Sequence, residues 1–401
     1  MKTNPIYCVA LLLLIFIDFE AFSQEKKECN PTNTPAETER FASVQKKLHE
    51  LVKLGVPGVV GGVKSGDLSW YSAAGFFRLE DKSPMKTCNL QYLQSISKTY
   101  LATSILQLKD QGKIDLDQPV STYLPAELAA WIVQSDGMTV RMLLNHTSGI
   151  PEYNYLPEYI SVLLQDPDHP FTPMDYMELI KGKRPDFEPG SKYSYRNSGY
   201  VLLALMMDHL TGDHARFIRK NIFEKVGLKN TFYRESPDYL EKAELVDGYW
   251  DRHSNSILEN SSFLQKQNVK KLIGDDGIIT TAEDAIHFLK ELVEGRLISP
   301  KSLSEMKTWA NDAKGNPQYG LGLDLTILGG KEAIGHSGGG LGAGSQLYYF
   351  PVEKVYVFLA INLATVTGSP MHIQAEKVIN ELYLEILNQS QNEIHLRIIA
   401  D

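Results

Sequence analysis

The chain has 401 residues, 43% of them hydrophobic and 22% charged, with a formal net charge of −9. That length and apolar content can fill a large core, which excludes an intrinsically disordered chain. The acidic balance argues against nucleic acid or an anionic membrane surface as a partner.

The N-terminus reads Met1-Lys2, then an apolar run from Ile6 to Ile17, then Ala21-Phe22-Ser23. A basic start, a short apolar stretch and a small-x-small site predict a secretory leader cut after Ser23, and therefore a secreted or periplasmic protein. The apolar run is closed by Asp18 and falls short of the ~20 residues that span a bilayer, so no stable membrane span is expected. Losing Lys2, Asp18 and Glu20 with the leader brings the formal charge to −8. Cys8 leaves as well, so Cys29 and Cys88 remain as a candidate disulfide pair in an oxidising compartment. Two cysteines and ten scattered histidines form no zinc-type ligand cluster; no metal and no cofactor are expected. The division expected is an extension over 24–35, a main domain over 36–387 and a tail over 388–401.

Phe41, Val44, Leu48 and Leu51 step by helical spacing before the turn at Gly55-Val56-Pro57-Gly58. Val59 to Lys64 and Leu68 to Phe76 read as a hairpin about Ser65-Gly66-Asp67. A helix starts at Ser95, continues through Leu101, Ile105 and Leu108, and stops at Gly112. Residues from about 113 to 275 form a mostly helical lobe, with Leu202, Leu205 and His209 on one helix closed by Gly212. Strands then return at Tyr319 to Leu328, Glu332 to His336, Ser345 to Phe350 and Val355 to Leu363, followed by a last helix bearing Ala375, Ile379, Leu382 and Ile386. The economical arrangement is an α/β fold. One antiparallel sheet is assembled from both ends of the chain, flanked by the terminal helices and interrupted by the helical lobe.

Ser-x-x-Lys tetrads begin at Ser23, Ser43, Ser83, Ser95 and Ser304, but only Ser95-Ile96-Ser97-Lys98 opens an apolar helix. Residues i and i+3 share a helix face, so the Lys98 amine can lie beside the Ser95 hydroxyl. The helix N-terminus favours negative charge on the serine oxygen and lowers the lysine pKa, which fits a nucleophile and its base. The plainer reading is an N-cap serine with a solvated lysine. Tyr195-Arg196-Asn197 is the only Tyr-x-Asn in the chain and stands in a loop before a helix. Tyr195 can relay a proton as a phenolate or through its hydroxyl, and the Asn197 amide can bond Lys98 and a substrate carbonyl. Gly335-His336-Ser337-Gly338-Gly339 also fits the Gly-x-Ser-x-Gly elbow of lipases, but that elbow needs a strand, a sharp turn and a helix.

In this order, Ser95-Ile96-Ser97-Lys98, Tyr195-Arg196-Asn197 and His336-Ser337-Gly338-Gly339 resemble the three active-site motifs of the serine β-lactamase and penicillin-binding-protein superfamily. The likeness is to its class C and D-Ala-D-Ala carboxypeptidase branch and covers roughly residues 36 to 387. Leu143-Leu144-Asn145-His146-Thr147-Ser148-Gly149 and Glu188-Pro189-Gly190 support it. The resemblance implies acyl transfer through Ser95, with Lys98 and Tyr195 as the acid-base pair. Asn197, His336, Ser337 and Gly338 would bind substrate, and the N–H groups of Ser95 and Gly339 would form the oxyanion hole. It gives His146 a turn-stabilising role. The implied partner is a small molecule or peptide: a D-Ala-D-Ala type peptide, a small amide or ester, or a β-lactam. A receptor that captures such ligands without turnover is the non-enzymatic alternative. Two positions depart from the pattern. Arg196 replaces a small residue, and His336 stands where β-lactamases usually carry a lysine that binds the substrate carboxylate. A histidine near pKa ~6.5 predicts weak, pH-dependent carboxylate capture.

Overall fold

The helix expected from Phe41, Val44, Leu48 and Leu51 is α1 (Ala42–Lys53), and all four of these side chains are buried. A computed structural model describes residues 33–400, with side chains as far as residue 390. The expected leader and most of the expected extension therefore lie outside the described residues. The hairpin follows as β1 (Gly58–Ser65) and β2 (Leu68–Arg78), closed at Ser65 opposite Leu68. A short β3 (Ser83–Pro84) borders it. The helices that matter for the site are α2 (Ser97–Asp110), α3 (Asn197–Thr211) and α4 (Ala282–Val293). Six strands come next: β4 (Ala310–Asn311), β5 (Pro317–Tyr319), β6 (Asp324–Leu328), β7 (Lys331–Gly339), β8 (Gly344–Phe350) and β9 (Val355–Ile361). The chain closes with α5 (Pro370–Ala400).

The nine strands form one sheet in the order β3-β2-β1-β9-β8-β7-β6-β5-β4. Every pairing is antiparallel, and β1 against β9 (Val59 opposite Ile361) joins the two ends of the chain. Strand alternation divides the core between the two faces. Val59, Val63, Val357 and Leu359 pack with α1 and α5, whereas Val60, Phe358 and Ala360 pack with α4 and the lobe. Every residue of β9 is buried, as its apolar run Val355-Tyr356-Val357-Phe358-Leu359-Ala360-Ile361 requires. Among the described residues, no helix is long and apolar enough to cross a membrane.

Four details differ from the sequence reading. The strand expected over 319–328 is two strands, because Gly320 N donates to Leu323 O and Gly322 turns the chain at φ +81. Alternating Gly and Leu imitates a strand period without being one. A Cβ at Gly322 would come within 2.4 Å of Ala102 Cβ, so this turn seats directly on α2. Strand β7 does not end at His336 but continues to Gly339, paired with β8. The last helix runs on through the residues expected to form a tail, and the Gln389 carbonyl accepts a hydrogen bond from Arg40 Nε. The lobe also contributes two-residue strands. Thr231–Phe232 of the lobe pairs with Ile279–Thr280 just past it, and Ile279–Thr280 pairs on its other side with Gln91–Tyr92, just ahead of Ser95.

Candidate active site

Ser95 sits in a single 3-10 turn (Gln94–Ile96) that leads into α2, one step before the α-helix proper. Gln94 takes φ +52, a conformation that costs a non-glycine residue energy and is held only by its surroundings. Those surroundings are β7 and β8. Ser345 Oγ donates to Leu93 O at 2.9 Å, and a Cβ on Gly338 would lie 2.2 Å from that same carbonyl. A Cβ on Gly340 would strike the Gln94 side chain at 2.6 Å. The glycines after His336 therefore let a strand press against the turn that carries Ser95.

One helical turn along, Lys98 is fully buried, and its Nζ donates to Ser95 Oγ at 3.0 Å and to the Asp275 carbonyl at 3.0 Å. Its ammonium lies 5.0 Å from the Tyr195 ring centroid and 5.6 Å from that of Tyr200. Burial pushes the Lys98 pKa below the ordinary lysine value, against the pull of Asp275, Asp276 and Glu152. The sequence reading credited the helix dipole; desolvation is the larger cause. The plainer reading of Lys98 as a solvated charge does not hold. The three acids escaped the sequence reading altogether. Burial raises Asp275 to about 6 and Glu152 to about 7, and raises Asp276 in the same direction. Their only sequence signal is the pair of glycines around Asp275-Asp276, both of which adopt positive φ.

The Tyr195 loop is clamped from two sides. The His146 carbonyl accepts from Ser194 N at 2.9 Å, and His146 Nδ1 accepts from Arg196 N at 3.1 Å. Glu152 accepts the Asn197 N–H at the start of α3. His146 stacks 4.2 Å from Tyr195 and is held neutral, its pKa well below the usual range because it is buried beside Lys98 and His336. These contacts agree with a bracing role for His146. The Tyr195 hydroxyl is out of solvent with the Ser95 hydroxyl beside it, and burial drives its pKa well above normal despite that neighbour. The phenolate is therefore disfavoured. Asn197 is the first residue of α3, and no hydrogen bond joins its amide to Lys98 among the described residues.

On the facing wall, His336 Nδ1 lies 2.5 Å from Ser337 O and Nε2 lies 2.8 Å from the Tyr319 hydroxyl. A carbonyl can only accept, so Nδ1 carries the proton and Tyr319 donates to Nε2. Burial and Lys98 lower the His336 pKa to about 3. The expected titration near 6.5 is thereby corrected: His336 is neutral at physiological pH. Ser337 lies inside β7 opposite Gln346, so the strand, turn and helix of a lipase elbow are absent there. Ser95, Tyr195, His336, Ser337 and Gly339 line one cavity of about 430 Å³; Tyr319 and Asp324, not singled out from sequence, line it too. Asp208, Asp213 and His214 also lie close together, but Asp213 accepts from Arg216 N and His214 bridges Asp208 and Tyr233.

A fully buried lysine beside a cavity-lining serine, with a tyrosine and a glycine-rich strand close by, is an arrangement that suits a serine hydrolase. The β-lactamase family matches residues 44–377, and the chain belongs to it. It is a serine hydrolase of the β-lactamase and transpeptidase-like superfamily. Penicillin-binding protein 4* of Bacillus subtilis is 28% identical over 76% of this chain and 67% of its own length. A D-aminopeptidase of Brucella anthropi is 28% identical over 77% of this chain but only 56% of its own. Among solved structures, D-amino acid amidase from Ochrobactrum anthropi superposes with a TM-score of 0.76 at 24% identity, covering 88% of this chain and 99% of that one; it speaks for the fold alone. A D-stereospecific amidohydrolase from Streptomyces sp. gives 0.70 at 28% identity, covering 84% and 98%.

Proposed function

We propose that the protein is a secreted or periplasmic hydrolase that works through a covalent acyl-enzyme on Ser95, acting on D-Ala-D-Ala type peptides or related small amides and esters. The observation that carries this reading is the 3.0 Å contact between Lys98 Nζ and Ser95 Oγ, with Lys98 fully buried behind the serine and Ser95 lining the cavity. Burial makes the neutral amine accessible, so Lys98 takes the Ser95 proton as Oγ attacks the carbonyl carbon. The N–H groups of Ser95 and Gly339 receive the oxyanion. The Tyr195 hydroxyl relays the proton held by Lys98 to the departing amine or alcohol as the acyl bond breaks; water then attacks the ester on Ser95, giving its proton to Lys98, which returns it to Ser95 Oγ as the acid leaves. Asn197 and the β7 edge from His336 to Gly338 hold the substrate. Export is supported by the N-terminal apolar run and by Cys88, which is disulfide-bonded.

The test is intact mass after treatment with a fluorophosphonate and, separately, a fluorescent penicillin. One adduct on wild type and none on folded Ser95→Ala is the expected result. Turnover of a p-nitrophenyl ester should fall ~10⁴-fold or more in the variant. Retained turnover in Ser95→Ala, or labelling that disappears instead in Ser337→Ala, overturns the reading. A long-lived penicillin adduct without turnover of any amide or ester would make the protein a receptor.

A further inference from the structure

Resting on that reading, we propose that Tyr153 is a positioning residue for acyl transfer: it holds the Asp275 carboxyl off Lys98, so that the lysine meets only the Asp275 carbonyl and stays able to take the Ser95 proton. Asp275 offers Lys98 two acceptors, and the structure uses the uncharged one. Lys98 Nζ donates to Asp275 O at 3.0 Å and to no carboxylate among the described residues. The Asp275 carboxyl is held instead by the Tyr153 hydroxyl, which donates to Oδ2 at 3.0 Å. Asp275's own N–H also lies beside the carboxyl but donates to the Ile273 carbonyl at 2.8 Å. The phenol is itself fixed. Tyr153 is buried, its N–H donates to Ser198 Oγ at 3.0 Å, and its ring packs against Tyr159 and Tyr176. The backbone of Asp275 is fixed as well, between Gly274 and Gly277 at φ +75 and +115; a Cβ on Gly274 would lie 2.6 Å from Tyr200 O. The carbonyl therefore stays at Lys98, and only the Asp275 side chain has a choice of partner.

The choice matters because the two acceptors differ in charge. A carbonyl bonds an amine or an ammonium alike, whereas a carboxylate paired with the ammonium raises its pKa, typically by ~1–3. Such a pair would undo the effect of burial, which pushes Lys98 below the ordinary lysine value. Without the phenol, the buried carboxylate is short of a donor, and Lys98 is the cation whose charge reaches it. The other carboxyls near Lys98 are engaged by backbone: Asp276 accepts from Gly277 N at 2.6 Å, and Glu152 accepts from Asn197 N. His146 and His336, which also feel Lys98, are held neutral by burial. The rings of Tyr195 and Tyr200 over Lys98 carry no charge at neutral pH, nor do Tyr159, Tyr176 and Tyr233 around Asp275. The Asp275 carboxyl is thus the anion that loss of a single hydroxyl sets free.

The experiment follows kcat/KM for a p-nitrophenyl ester across about pH 5 to 10 in wild type, Tyr153→Phe, Asp275→Asn and the double variant. Tyr153→Phe should move the acid limb to higher pH by ~1 or more and slow the reaction about tenfold below that limb. Asp275→Asn removes a charge that raises Lys98 but keeps an acceptor for Tyr153, so its limb should move to lower pH. The double variant should lose the upward shift, because no carboxyl remains to pair with Lys98. A Tyr153→Phe protein that is slower with an unmoved limb, or an upward shift that persists in the double variant, overturns the proposal. Where Tyr153→Phe does not fold, Asp275→Asn decides alone, and an unmoved limb there overturns it too. Fluorophosphonate labelling of Ser95 separates this idea from the one it rests on. Labelling with unmoved limbs refutes only the role of Tyr153, whereas wild type that is never labelled refutes the acyl-enzyme itself.

Discussion

The floor beneath Ser95 is built from buried titratable side chains, whereas the facing wall from His336 to Gly339 is built from backbone and the absence of side chains. On the floor, Lys98, Asp275, Asp276 and Glu152 have been taken out of water together, and each is pushed toward its neutral form. On the wall, Gly338 and Gly340 allow β7 to touch Leu93 and Gln94, and the one titratable residue, His336, is locked neutral. On the proposed reading, reactivity comes from desolvation on one side and alignment from close approach on the other.

Lys98→Met tests the floor most severely. It keeps the volume but removes the base, and it should lower kcat/KM on an ester by ~10²- to 10⁴-fold without stopping substrate binding. An activity loss below tenfold, measured on correctly folded protein, would mean that the floor is not the source of reactivity. Gly338→Ala tests the wall. Its methyl group meets Leu93 O and Gln94 Cβ at 2.2 and 2.7 Å, so the strand or the Ser95 turn has to move. We expect a loss of ~1–3 kcal/mol in stability by denaturant titration, together with an activity loss out of proportion to the residual unfolded fraction. An alanine variant with wild-type kinetics would show that alignment does not depend on this contact.

His336 on the wall and Glu152 on the floor titrate in opposite directions. His336 is depressed to about 3, so between ~6.5 and 3 the unfolded chain binds a proton that the folded chain refuses. Its contribution is present above that window and is lost as pH falls, so His336→Gln should melt progressively higher than wild type on acidification. The same variant should leave the shape of kcat/KM between about pH 5 and 8 unchanged, because His336 does not titrate there. Glu152 is raised to about 7, so the folded state holds the extra proton between ~4 and 7. Its contribution is present at acid pH and is lost as pH rises, so Glu152→Gln should gain stability over wild type toward pH ~8. Thermal melts across pH check both slopes, and slopes of the same sign would erase the distinction between the two sides.

Much of this layout was legible from the chain. The apolar steps of α1, the hairpin β1–β2 and the run in β9 follow from periodicity, and the motif order brought Ser95, Lys98, Tyr195, His336 and Gly339 toward one place. Residues 320–323 were misread because Gly and Leu alternate there with a strand period while Gly322 requires positive φ. Strand β7 was ended too early because glycines ordinarily weaken strands, and their need for contact with Leu93 and Gln94 is a long-range fact. Asp275, Asp276, Glu152, Tyr319 and Asp324 gave little local signal, since a carboxylate or a tyrosine in a sequence says nothing of whether water reaches it.

The sequence by itself determined which residue types could react, because nucleophile, amine, phenol and glycine strand are covalent facts ordered along one chain. Only the tertiary structure decided their ionisation. Burial disfavours Lys98 charge, holds His336 neutral and lifts Asp324 to about 7, and burial is produced by elements far apart in the chain packing against one another.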